Sequence, residues 1–108
     1  MDGHITNKDG LPSSITVKPE NVYNYSECMH AKRVAKVIMT MAPNATYYAA
    51  YVGNYITNIE WLLSQGVNVI NISAELGNYT LNTNSFISYW LDHVTFNHDV
   101  HMVLTAGN

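Results

Sequence analysis

An α/β fold, three layers deep with helices on both faces of a short parallel sheet, is predicted from three observations. Segments with the 3.6-residue apolar period of a helix alternate with short runs of β-branched and aromatic residues. The order is helix, strand, helix, strand, helix, strand. The links between them are too short for independent units, so successive strands return in parallel by right-handed crossovers.

Residues 1–29 are polar and turn-rich, with "TNKDGLPSS" and "PENVYNYSE" as loops around one short extended piece, "ITVK". From His30 the pattern changes. In "HAKRVAKVIMTM", Ala31, Val34, Ala35 and Ile38 fall at i, i+3, i+4 and i+7, one face of a helix that Pro43 ends. "ATYYAAYV" follows as a strand. "NYITNIEWLLSQG" is a second helix with Ile56, Ile59, Leu62 and Leu63 to one side and Gly66 as its C-cap. "VNVINIS" is the next strand. A third helix, "NSFISYWLDHVTFN", carries Ile87, Trp90, Leu91 and Val94 as its stripe, and "DVHMVLTA" is the last strand. The chain thus divides into a polar segment, 1–29, and a helix–strand region, 30–108. It has no internal repeat, low-complexity tract or linker.

Composition narrows the function classes. At 47% hydrophobic and 12% charged, 108 residues suffice to bury a core. A net charge of -3 lacks the basic footprint of a nucleic-acid binder. No apolar run is long enough to span a bilayer, and "MDGHITNKDG" lacks the basic and apolar regions of a signal peptide. Cys28 has no second cysteine to pair with.

Four segments carry chemistry in one order. His30 opens a helix in His-x-x-x-Val-Ala, followed by Ala-Pro-Asn-Ala and a strand. Next comes "NIEWLLSQGVNVINIS", and last "TAGN". Together these resemble the catalytic domain of the subtilisin-like serine proteases, over most of residues 28–108. The resemblance implies a partial subtilisin-like fold and a parent that hydrolyses peptide bonds in peptide or protein substrates, without a cofactor. By position, His30 is then the general base and acid, and Asn108 the side-chain amide that donates into the oxyanion hole. Imidazole suits the first role because it exchanges a proton near neutral pH. An oxyanion donor of the second kind stabilises the transition state by roughly 2.7–4 kcal/mol. Asp2, in "MDGHI", echoes the family's acidic residue. Ser73, Ala74 and Gly77 match its substrate-binding segment once two extra residues are passed over. Secretion or surface attachment is implied by the family resemblance alone.

The departures are equally informative. The family's order is Asp, His, Ser, and its Gly-Thr-Ser-Met-Ala nucleophile motif is absent. No strand precedes Asp2, and Ala31 and Lys32 stand where the family has glycine and threonine. The expectation is a middle piece of a larger protease, silent in isolation because no serine completes the triad. In the family the strand bearing the acid lies between the one after the histidine helix and the next. If that strand is missing here, "TYYAAYV" and "VNVINIS" have a gap between them that must close, be filled, or expose two edges, so self-association is expected.

Other constellations are read as structural. His98, Asp99 and His101 have the spacing of a turn entering a strand, which points 98 and 101 to opposite faces, and His93 does not complete a metal site. Trp61, Trp90, Phe96 and the tyrosines are expected in the core. The Asn-x-Ser/Thr triplets at Asn24, Asn44, Asn71 and Asn78 follow from an asparagine-rich composition. A receiver- or flavodoxin-like signalling domain would show an acidic cluster after an early strand, which is missing. The alternative that stands is a degenerate protease-like module for peptide binding or self-association.

Overall fold

The computed structural model describes residues 5, 11, 14–19, 29–51, 53, 55–73 and 86–106. Seven elements lie along it: β1 (Thr16–Val17), α1 (Met29–Met41), β2 (Tyr48–Ala49), α2 (Tyr55–Ser64), β3 (Val69–Ile72), α3 (Phe86–His98) and β4 (His101–Leu104). The chain is mixed α/β, with a Cα radius of gyration of 13.8 Å, near the ~13 Å of a compact chain of about this length.

The strands form two separate parallel pairs. β1 lies beside β2, with Thr16 opposite Tyr48, and β3 lies beside β4, with Val69 opposite His101 and Ile72 opposite Leu104. Among the described residues β2 and β3 are not paired with each other.

The core divides in the same way. One cluster joins Ile15 and Ile5 to Ala31 and Met39 of α1. The larger cluster joins Ile59 and Leu62 of α2, Ile70 and Ile72 of β3, Ile87, Leu91 and Val94 of α3, and Val100. β2 stands between them, because successive strand residues face opposite sides. Tyr47 and Ala49 pack against the α1 cluster, whereas Tyr48 and Ala50 pack against the α2 cluster. The Tyr48 ring meets that of Trp61 edge-on, with centroids 6.1 Å apart and planes at 75°.

Helix ends are closed by specific groups. The backbone N–H of Ala42 donates to the Ile38 carbonyl at 3.0 Å, and the Tyr47 hydroxyl donates to the carbonyls of Ile38 and Ala42. The Ala42 carbonyl lies just past the end of α1, where helical partners run out. α2 ends as its sequence predicts: Gly66 N–H donates to the Leu63 carbonyl at 3.0 Å, with Gly66 in the left-handed region at φ 77°. Asp99 makes the corresponding turn between α3 and β4, at φ 49°.

Two expectations about side chains are corrected. Phe96 is not in the core but 88% exposed, and Tyr89 on the same helix is exposed as well. Phe96 lies two residues beyond the buried Val94, about 200° around a helix of 3.6 residues per turn, so it faces away from the Leu91 and Val94 stripe. On α2 the buried stripe contains the polar Asn58 beside Ile59 and Leu62, while Ile56 is half-buried.

Candidate functional site

His30 is the second residue of α1 and is exposed. The helix that carries it is amphipathic for the reason read from its sequence. Ala31 is buried against the β1–β2 pair, while Val34, Ala35 and Ile38 are half-buried. Lys32, next to the histidine, is 7% exposed, so its stem packs inward and the residue is not a solvated neighbour of the imidazole.

Ser73 follows β3 directly. Its Oγ accepts a hydrogen bond from Asn71 Nδ2 at 2.7 Å. The parallel register sets what lies beside it: Ile72 is opposite Leu104, and Thr105 N–H donates to the Ile72 carbonyl at 3.3 Å. The C-terminal ends of β3 and β4 therefore emerge at one edge, with Ser73 next to Thr105 and Ala106. In parallel sheets this is the edge where ligands collect. Asp2, Ala74, Gly77 and Asn108 lie outside the described residues, so of the six positions only His30, on α1, and Ser73, just after β3, are located.

The His98–Asp99–His101 sequence spans the tight connection from α3 to β4. All three residues are exposed, with the buried Val100 between Asp99 and His101. The Asn97 amide N–H₂ group lies 3.1 Å from His93 Nδ1 and donates to the His93 carbonyl at 2.8 Å, which ties that histidine to its own helix. No helix among the described residues is long and apolar enough to cross a membrane.

Sequence reasoning did not identify a groove of about 680 Å³ between the two strand pairs. One wall is α1, through Val34, Ala35 and Ile38. The opposite wall includes Leu62 and the Gly66 turn of α2, and the sides are residues 47–50 and 67–71. Among the described residues that line it, none is charged. The signal in the sequence was the same one that marked α1 as amphipathic, since Val34, Ala35 and Ile38 line this space and do not complete a closed core.

No family model matches the chain, and no curated protein or solved structure matches it.

Proposed function

We propose that the chain is a segment of a subtilisin-like serine endopeptidase catalytic domain. It carries the general base and the oxyanion donor but no nucleophile. The observation that carries this reading is the β3–β4 register. By placing Ser73 beside Thr105 and Ala106, it brings the end of a candidate substrate-binding strand to within two residues of Asn108. The placement of α1 against one face of β2 and α2 against the other supports the three-layer, subtilisin-like arrangement. In this reading His30 takes the proton of a serine supplied from elsewhere and returns it to the leaving amine. Asn108 donates to the developing oxyanion, and Asp2 is the candidate orienting carboxylate. Ser73, Ala74 and Gly77 offer backbone to the substrate. The substrate is a peptide or protein, and no cofactor enters.

Fluorophosphonates modify only a serine activated by a neighbouring base, so intact mass after such treatment tests the reading. The chain alone gains no adduct. Refolded together with a protease segment bearing the Gly-Thr-Ser-Met-Ala motif, it yields an adduct on that serine, and His30→Ala abolishes it. A complex that forms but never labels would sink the proposal, as would an adduct on the isolated chain that survives in the variant.

A second reading, a degenerate protease-like module for peptide binding or self-association, is favoured by the groove that β2 and β3, unpaired with each other among the described residues, both line. It predicts that binding persists where labelling never appears.

A further inference from the structure

The turn between α1 and β2 carries a group that neither reading of the function uses. Seven consecutive residues there, 40–46, are exposed. Ala45 N–H donates to the Ala42 carbonyl at 3.2 Å, closing a four-residue turn with Pro43 and Asn44 at its tip. Proline suits the first tip position because its ring presets φ. The Tyr47 hydroxyl donates to the same Ala42 carbonyl, so the turn is pinned from the strand side. Asn44, Ala45 and Thr46 form an Asn-x-Thr triplet, the acceptor sequence for N-linked oligosaccharide.

We infer that Asn44 is an N-glycosylation site, presented by this turn to an oligosaccharyltransferase whose donor is an oligosaccharide carried on a lipid diphosphate. The inference is separate from peptide hydrolysis and rests on the export that the protease resemblance implies. In the transfer, a bond forms between Asn44 Nδ2 and the anomeric carbon of the first sugar. The bond from that carbon to the diphosphate oxygen breaks and the lipid diphosphate leaves. One amide proton goes to a base on the transferase, and nothing is oxidised or reduced. The transferase must reach the Asn44 amide and the Thr46 hydroxyl together. Both residues are exposed, and among the described residues the Asn44 side chain makes no hydrogen bond.

Composition accounts for the number of such triplets but not for their settings. Asn71-Ile72-Ser73 has the same pattern and the opposite surroundings. It runs along β3 and just past it, where Ile72 is 1% exposed and Asn71 stands opposite Val103 in the ladder. Asn71 Nδ2 donates to Ser73 Oγ at 2.7 Å, so the amide that would be glycosylated and the hydroxyl that would be recognised hold each other. A paired strand cannot bend into a transferase cleft without losing its backbone bonds. A glycan on Asn44 instead extends into solvent from a loop tip, where chains tolerate additions best. Asn24 and Asn78 lie outside the described residues.

The test combines the folded chain, a purified single-subunit oligosaccharyltransferase and a lipid-diphosphate-linked oligosaccharide, read by intact mass and peptide mapping. It needs no export of the chain, so a negative result cannot be confused with a wrong location. Asn44 gains one oligosaccharide, and Asn71 is modified at least tenfold less. Synthetic peptides spanning residues 40–48 and 67–75 are both modified, because neither is held in a fold. Asn44→Gln and Thr46→Val each abolish transfer at position 44, and Thr46→Ser retains it. Asn44→Gln replaces an exposed side chain, so that variant folds with an unchanged urea midpoint. The glycosylated chain unfolds at the same urea concentration as the bare one.

No transfer to Asn44 in the folded chain overturns the inference, and so does transfer to Asn24 or Asn78 that leaves Asn44 bare. Asn71 modified as readily as Asn44 shows that the triplet and not the turn selects the site, which also overturns it. A glycosylated chain that unfolds at markedly lower urea overturns it too, because the turn then does not accommodate the adduct. None of these outcomes bears on the protease reading, which serine labelling tests by itself.

Discussion

Asn58, fully buried on α2, donates a hydrogen bond from Nδ2 to the main-chain carbonyl of Tyr51, just past β2. The bond ties the helix to the strand that precedes it. Its side-chain oxygen, Oδ1, is buried with no hydrogen-bond partner among the described residues. A buried polar group is tolerated only while its hydrogen bonds offset desolvation. The isosteric Asn58→Asp sets a carboxylate against the Tyr51 carbonyl and costs about 3–5 kcal/mol at neutral pH. That is a large fraction of the ~5–15 kcal/mol that holds a domain together. Burial raises the folded-state pKa of such a carboxyl above its unfolded value. The penalty is therefore full above the folded pKa and shrinks as pH falls through it. Urea melts of variant and parent at pH 7 and pH 4 would show the gap narrowing in acid; a gap independent of pH would contradict this account.

The Tyr47 hydroxyl caps α1 from the first residue of the following extended segment. Tyr47→Phe keeps the ring in the α1 cluster and removes only the donor, so it costs about 0.5–1.5 kcal/mol. The Ala42 amide at the helix end would exchange faster, while amides of α2 would not. Equal acceleration in both helices would show that the effect is not a cap.

Gly66 sits at φ 77° with nothing within 4 Å of the position a Cβ would take. The expected cost of Gly66→Ala is therefore conformational and not steric, about 1–2 kcal/mol for a left-handed non-glycine residue. Gly66→Asn should recover part of it, since asparagine accepts that region more readily. If alanine and asparagine cost the same in thermal melts, the backbone argument fails.

His30 is exposed near the start of α1, and His30→Ala should shift stability by no more than about 0.5 kcal/mol. A urea midpoint that barely moves would make any loss of His30-dependent serine labelling a chemical result. A large shift would instead identify His30 as structural.

The differences between sequence and structure have local causes. "ATYYAAYV" reads as eight extended residues, yet β2 is Tyr48–Ala49. Ladder bonds form only where a partner runs alongside, and β1 is itself two residues long. Strand length is in that sense a property of the pair. The left-handed turn at Asp99 had no glycine to announce it, unlike Gly66. Lys32, which stands where the resemblance has threonine, is nearly buried, and its long stem can cover apolar surface. Of the candidate site, the sequence named His30 and Ser73 by motif but could not relate them. Their positions depend on which strands pair, and pairing is non-local.

By itself, the sequence determined the alternation of helices and strands, the buried stripe of α3, and the stop signals at Pro43 and Gly66. These depend on periodicity and backbone preference within a few residues. Only the tertiary structure decided that the strands divide into two pairs, that β2 packs a helix cluster on each face, and that an apolar groove separates β2 from β3. Backbone groups carry no side-chain code for their partners, so an open edge appears only when the strands are set in space.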